Sequence, residues 1–224
     1  MASAPPLTID PAVEESLEHR HLPPSQPGEP TWEIAHLFPR QGQWTEDAYL
    51  ALDTNRLIEF SDGVLEFLPM PSMFHQAIVD FLHTLLKDFT RKHKLGRAFF
   101  APLPVRLRPG KYRDPDIIFV RTERLPKDLR SQPHGADLVM EIVSPGEENR
   151  ERDLLIKPEE YAAAGIQEYW IVDPEKLAIK VLTLEAGAYR LHGEFRPGET
   201  ATSLLLAGFA VNVEDVFAAG ENVE

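Results

Sequence analysis

The sequence predicts an α/β (α+β) fold, a mixed β-sheet with helices packed against it, and two observations lead there. Between residues 73 and 91 apolar side chains recur at Ala77, Ile78, Phe81, Leu82, Leu85, Leu86 and Phe89, the spacing of one helix face. Strand-like runs at 98–107, 116–120 and 138–143 follow, then a second helical stretch, then further runs at 168–172 and 177–184. Helix, strands, helix, strands is the order of a sheet covered by helices.

Composition sets the outer bounds. At 224 residues the chain fits one globular domain with room for an appended tail, and it can bury roughly two-thirds of its unfolded surface. Hydrophobic residues at 43% and charged residues at 26% match an ordinary soluble protein. No apolar run approaches the ~20 residues of a membrane helix. The first residues show no basic segment followed by an apolar one, so no secretory signal is expected. With no cysteine in the chain, disulfides and thiolate metal sites are excluded. A cytoplasmic location is expected, and any metal must be held by oxygen or imidazole.

The formal charge of −13 speaks against a nucleic-acid partner, because phosphates repel an acidic protein. Its distribution weakens that objection. Residues 1–50 carry eight acids and two bases, whereas residues 87–113 carry nine bases against the single acid Asp88. That run is either a solvated helix face continuing into a basic loop or a phosphate-contacting surface, with Arg91, Lys92, Lys94, Arg97 and Arg113 as the contacts.

In chain order, residues 1–30 hold seven prolines, scattered acids and little periodic apolar content. This predicts a disordered or extended arm ahead of a single domain over 31–224, whose body starts near Trp32. Thr45-Glu46-Asp47 reads as an N-cap with acids in the first turn, opening a short helix to about Leu52. Runs at 57–60 and 64–67 flank Ser61-Asp62-Gly63, where Asp-Gly signals a hairpin. After the long helix and its strands, a second helix is expected over 158–164, closed by Gly165 in a left-handed cap. Pro158 fixes the local backbone and should keep that helix from starting much earlier. The runs 168–172 and 177–184 flank Asp173-Pro174-Glu175-Lys176, and a further strand over 188–191 follows Gly187.

The chemistry centres on Glu141, a carboxylate inside the apolar run Leu138-Val139-Met140-Glu141-Ile142-Val143. An ionised carboxylate taken out of water costs several kcal/mol unless a cation or hydrogen-bond donors meet it. Its partner is an arginine in a buried ion pair, or a metal shared with a second acid. Asp114 and Asp116, two apart at the mouth of the preceding strand, share a face. If the two strands are neighbours, Asp116 and Glu141 converge on a divalent cation, which prefers carboxylate oxygen and water. Lys157, at the start of the second helix, then swings its ammonium toward the same cleft. Two carboxylates and a lysine suit hydrolysis of a phosphodiester. Read singly, Asp-Pro-Asp is a turn, Lys157 a surface lysine, and His75 a capping or packing residue. Tyr169 and Trp170 are taken as core and interface aromatics.

Taken together the motifs resemble a known family. Ile58-Glu59-Phe60-Ser61-Asp62-Gly63, Pro71-Ser72 with His75, Asp114-Pro115-Asp116-Ile117-Ile118 and Asp137-Leu138-Val139-Met140-Glu141-Ile142-Val143-Ser144-Pro145 are similar to the Uma-type restriction endonucleases. So are Lys157 with Tyr161, Gly165-Ile166 and Glu168-Tyr169-Trp170-Ile171-Val172-Asp173-Pro174, and the likeness runs from about Trp44 to Phe217. It implies the restriction-endonuclease-like PD-D/E-x-K fold, a central mixed sheet flanked by helices with additional C-terminal antiparallel strands, and a magnesium-dependent site in which manganese substitutes. By that resemblance Asp116 is the aspartate of the PD element, Glu141 the acid of the E-x-K element, and Glu59 and His75 accessory members of the site. Val143 stands where the wider pattern has lysine, and the resemblance implies that Lys157 replaces it from the helix.

Three functions follow as expectations. The first is a metal-dependent endonuclease acting on DNA, with a homodimer suited to cutting both strands. The second is a nucleic-acid-binding or assembly module that keeps the scaffold without turnover and uses the basic 87–113 segment. The third is a metal-independent carboxylate-pair hydrolase of a non-nucleic substrate, such as a glycosidase, which retains activity in chelator.

Overall fold

The computed structural model describes residues 38–52 and 56–221. The arm expected over 1–30 and the start of the body near Trp32 lie outside the described residues. The first helix, α1, is Glu46–Leu50, and Thr45 caps it as its side chain accepts from the Ala48 N–H at 3.1 Å. Strands β1 (Ile58–Ser61) and β2 (Val64–Phe67) form the hairpin, with Asp62 and Gly63 both at positive φ, +48° and +87°. A Cβ at Gly63 would lie 2.7 Å from the Gly42 carbonyl oxygen, so only glycine fits this turn.

Helix α2 is Met73–Lys92, one residue longer than its periodicity indicates, and the Ser72 hydroxyl accepts from the His75 N–H at 3.2 Å to start it. The run 98–107 is not one strand. Pro102 and Pro104 supply no backbone N–H, so the ladder breaks, leaving β3 (Gly96–Phe100) and β4 (Val105–Arg108) in different sheets. Next come β5 (Lys111–Arg113), β6 (Ile117–Arg121) and β7 (Leu138–Ile142). Beyond the second helical region lie β8 (Glu168–Asp173), β9 (Ala178–Glu185), β10 (Ala188–Phe195), β11 (Thr200–Thr202), β12 (Ala210–Asn212) and a closing helix, Val213–Glu221.

The second helical region differs most from expectation. It begins at Glu147, not near Pro158, and runs as an α-helical turn (Glu147–Glu151), a π-helical turn (Arg152–Ile156) and a further α-helix, here called α3, over Lys157–Ala163. Pro158 is absorbed rather than avoided. In a π-turn its missing N–H would have served the Asp153 carbonyl, and the Tyr169 hydroxyl donates to that oxygen instead, at 3.0 Å. Gly165 closes the helix at φ +76°.

The six-stranded sheet has the order β10-β9-β8-β7-β6-β3 and is antiparallel except for β7 beside β8, which are parallel and joined by the helical region. A smaller sheet, β2-β1-β5-β4, flanks it, and β11 pairs with β12. Alternation along the central strands divides the core. Ile117, Phe119, Leu138, Met140, Ile142, Trp170 and Val172 pack against Ile78, Leu82 and Leu86 of α2. Ile118, Val120, Val139, Val143, Tyr169 and Ile171 meet Tyr161 of α3 on the other face. Each such fully buried side chain contributes about 1.5–3 kcal/mol, so both layers hold the sheet in place. Trp170 donates its indole N–H to buried Glu168 at 2.7 Å, consistent with a core role.

Candidate active site

The register of β6 and β7 pairs Ile117 with Met140, Ile118 with Val139 and Phe119 with Leu138. One step further sets Asp116 opposite Glu141, and residues directly opposite in an antiparallel pair project to the same face. The central geometric expectation therefore holds: the two strands are neighbours, and both acids line one cleft of about 190 Å³, together with His75, Asp114, Asp153 and Lys157.

Glu141 is 3% exposed, and its partner is not an arginine. Lys157 Nζ lies 2.9 Å from Glu141 Oε1, and the Tyr161 hydroxyl donates to that oxygen at 2.5 Å. Lys157 therefore points inward, and its ammonium also meets Asp153 Oδ1 at 3.0 Å. Burial pushes the Glu141 carboxyl up to about 8; Lys157 opposes this, while Asp116 and Asp153 reinforce it. Burial disfavours the Lys157 ammonium, but the charges of Glu141 and Asp153 outweigh it and raise its pKa. The ammonium is a permanent cation at neutral pH.

Asp116 is held by backbone and imidazole. Its Oδ2 accepts from the Ile142 N–H at 2.8 Å and lies 3.3 Å from His75 Nε2. Burial disfavours the imidazolium of His75, yet Asp116, with Glu141 and Asp153 behind it, keeps the pKa above its usual value. His75 Nδ1 is buried without a hydrogen-bond partner among the described residues. Asp114 accepts from the Leu103 N–H at 2.5 Å, and burial beside Glu59 and Asp116 pushes it up to about 6.

One sequence expectation, the phosphate contact at Arg113, is corrected here, and Glu59 takes a place behind the cleft. Glu59 does not line the cleft. It lies behind it, fully buried, accepting from the Asp114 N–H at 3.1 Å and from the Arg113 guanidinium. Arg113 is no phosphate contact, since it is 2% exposed and clamped by Glu59, Glu66 and Glu160. Lys111 is likewise buried against Glu160 at 2.7 Å. The basic run is thus not one surface. Arg91, Lys92, Lys94 and Arg97 are exposed but line no part of the cleft. A helix rises about 1.5 Å per residue, so α2 carries Arg91 some ~24 Å from His75 at its other end.

Sequence reasoning missed Asp153 and Arg152, and gave Tyr161 no role. The signal for Asp153 was its spacing, four residues before Lys157, which puts the pair on one helix face. A helix expected to start at Pro158 hid it.

Burial raises the Glu160 pKa, but Arg113 and Lys111 outweigh it and hold the carboxyl below its ordinary 4.5. A depressed carboxylate stabilises the fold fully above its unfolded pKa and loses that contribution as pH falls through the folded value. Urea unfolding of the protein and of Glu160→Gln should therefore differ clearly at pH 7, with the gap shrinking below about pH 4.5. An undiminished gap at pH 3 would contradict the assignment.

A mixed sheet flanked by helices, with carboxylates from adjacent strands and a lysine from the following helix in one cleft, defines a nuclease-like fold. Residues 46–214 match the model of the family described as "Uma2: Putative restriction endonuclease", and the chain belongs to that family. A crystal structure described as "a putative nuclease belonging to DUF820", from Anabaena variabilis ATCC 29413, is similar in fold. Its TM-score is 0.63 at 20% identity, over 79% of this chain and 99% of that one. No curated protein matches the chain.

Proposed function

We propose that this chain is a metal-dependent endonuclease that hydrolyses phosphodiester bonds of DNA, with Asp116 and Glu141 as metal ligands and Lys157 as the catalytic cation. The observation that carries the reading is the convergence of these three side chains, from the residue before β6, from β7 and from the start of α3, in one cleft. Family membership supports a nucleic-acid substrate.

The donor set suits a hard divalent cation, magnesium or manganese. Asp114, Asp116, Glu141 and Asp153 line the cleft with Lys157 and Arg152, and burial, reinforced by the neighbouring acids, raises the pKa of Asp114 and Glu141. Among the described residues no three His, Asp or Glu side chains form a ready metal cage. That agrees with magnesium, which usually takes one or two carboxylates and completes its shell with water and substrate phosphate. Bound there, the metal would polarise the phosphate and lower the pKa of water.

The protein's own groups supply the rest. Tyr161 and Lys157 both hold the Glu141 carboxylate through Oε1. Lys157, oriented by Asp153, presents positive charge where charge develops on the phosphate. His75 holds Asp116 through Nε2. Strand cutting by a homodimer belongs to the same proposal, and the outer edge of β3, which pairs with no other strand among the described residues and exposes Phe100, offers a surface for a second copy. No helix among the described residues is long and apolar enough to cross a membrane, and a cytoplasmic location is part of the reading.

Incubating the protein with plasmid and linear DNA in magnesium, manganese or chelator tests this. Cleavage in either metal and none in chelator is expected. Undiminished hydrolysis in chelator, or none in any metal, would overturn it.

A further inference from the structure

Among the described residues, the other buried or half-buried arginines are engaged by carboxylates: Arg106 by Glu46, Arg113 by Glu59 and Glu160, Arg121 by Asp137 and Arg150 by Asp173. Arg152 departs from this. It lines the cleft, its side chain is 17% exposed, and its closest charge partner is the neighbouring Asp153, at 3.5 Å from Nε. That Nε makes no hydrogen bond, and no acceptor among the described residues engages the two terminal nitrogens. Asp153 Oδ1 is ion-paired with Lys157 at 3.0 Å but makes no hydrogen bond among the described residues, and Oδ2 accepts from the Ser144 N–H at 3.3 Å.

Backbone geometry explains how a second cation reaches the site. The Lys157 N–H bonds to the Arg152 carbonyl five residues back, the hydrogen bond of a π-turn. Such turns are rare and recur at functional sites. The wider turn brings Arg152, Asp153 and Lys157 to the same cleft, which all three line. Lys157 is ion-paired with Glu141 and Asp153, whereas the terminal donors of Arg152 meet no acceptor among the described residues.

We propose that Arg152 is a substrate-contacting residue whose terminal guanidinium nitrogens bind the non-bridging oxygens of a phosphodiester in this cleft. The inference rests on the phosphodiester reading given above. The planar fork matches a phosphate bidentately, which an ammonium cannot do. The guanidinium counters the phosphate charge in a cleft that is otherwise rich in carboxylates.

The test measures binding and cutting separately on the full chain. Binding of a fluorescein-labelled oligodeoxynucleotide in magnesium is followed by anisotropy on a Glu141→Gln background. Arg152→Met should weaken binding by about tenfold to a hundredfold, Arg152→Lys should recover only part, and Arg190→Met, exposed on β10, should change it less than twofold. Because Arg152 makes one weak contact to the protein, its variants should melt near the parent, and Arg152→Lys serves if the methionine variant does not fold. Unchanged affinity in Arg152→Met, or no binding by the parent, would overturn the proposal. Cleavage by the native chain separates the two readings. DNA bound through Arg152 but cut in neither magnesium nor manganese counts against the nuclease, whereas DNA cut equally well by Arg152→Met counts against Arg152.

Discussion

Glu141→Gln is expected to lower magnesium-dependent DNA cleavage on the order of 10³-fold or more, with folded stability equal to or above that of the parent. The two halves of that expectation have different origins. Glutamine keeps the shape of the side chain, and its amide oxygen still accepts from Tyr161 and Lys157, so the strand and helix stay in place. What disappears is the anion. Burial raises the Glu141 pKa, so its charged form is the costly one in this site and the amide removes that cost. Lys157 keeps Asp153 as its counter-charge. Cleavage assays with thermal melts on the same preparations check both halves. Near-native cleavage, or a collapse of stability with the loss of cleavage, would show that Glu141 holds structure and not a metal.

Arg113→Met is expected to destabilise the protein by about 3–5 kcal/mol, lowering Tm by roughly 10 °C or more for a domain of this size. Arg113 joins β5 to β1 through Glu59, to β2 through Glu66, and to α3 through Glu160, where Nε and one Nη meet the carboxylate at 2.7 and 3.0 Å. Removing the guanidinium leaves Glu59 a buried, unpaired charge. Arg113→Lys should recover little, because one ammonium cannot span three carboxylates. Adding Glu59→Leu to Arg113→Met should restore part of the loss by removing the stranded anion, although the Asp114 N–H then loses its acceptor. Since Glu160 precedes Tyr161 and follows Lys157 by three residues, loosening it should also reduce cleavage. Urea unfolding decides the matter, and a loss below about 1 kcal/mol would contradict the role given to this network.

What the sequence disclosed and what it withheld divide along physical lines. Local chemistry was legible: the Asp62-Gly63 turn, the Thr45 cap and the 3.6-residue period of α2 each depend on neighbours in the chain. Glu141 was legible for a similar reason, because an acid among Leu138, Val139, Met140 and Ile142 is costly wherever the strand goes. Partners set by packing were not. Nothing in the run from Lys87 to Arg113 distinguishes Lys92, exposed at a helix end, from Arg113, turned inward among three carboxylates. Pro158 misled because proline normally opens a helix, whereas here a π-turn and the Tyr169 hydroxyl accommodate its missing donor, and with that turn went Asp153 and Arg152. Beyond 188–191, β11, β12 and the closing helix had too little periodicity to be seen.

Crystals of the native protein soaked in manganese, with anomalous diffraction collected at the metal edge, measure most directly whether the cleft is a metal centre. A peak bounded by the carboxylates of Asp116 and Glu141, with Lys157 still beside Glu141, is the predicted result. A cleft without a peak at manganese concentrations that support cleavage, or an ion bound away from those two acids, would contradict it.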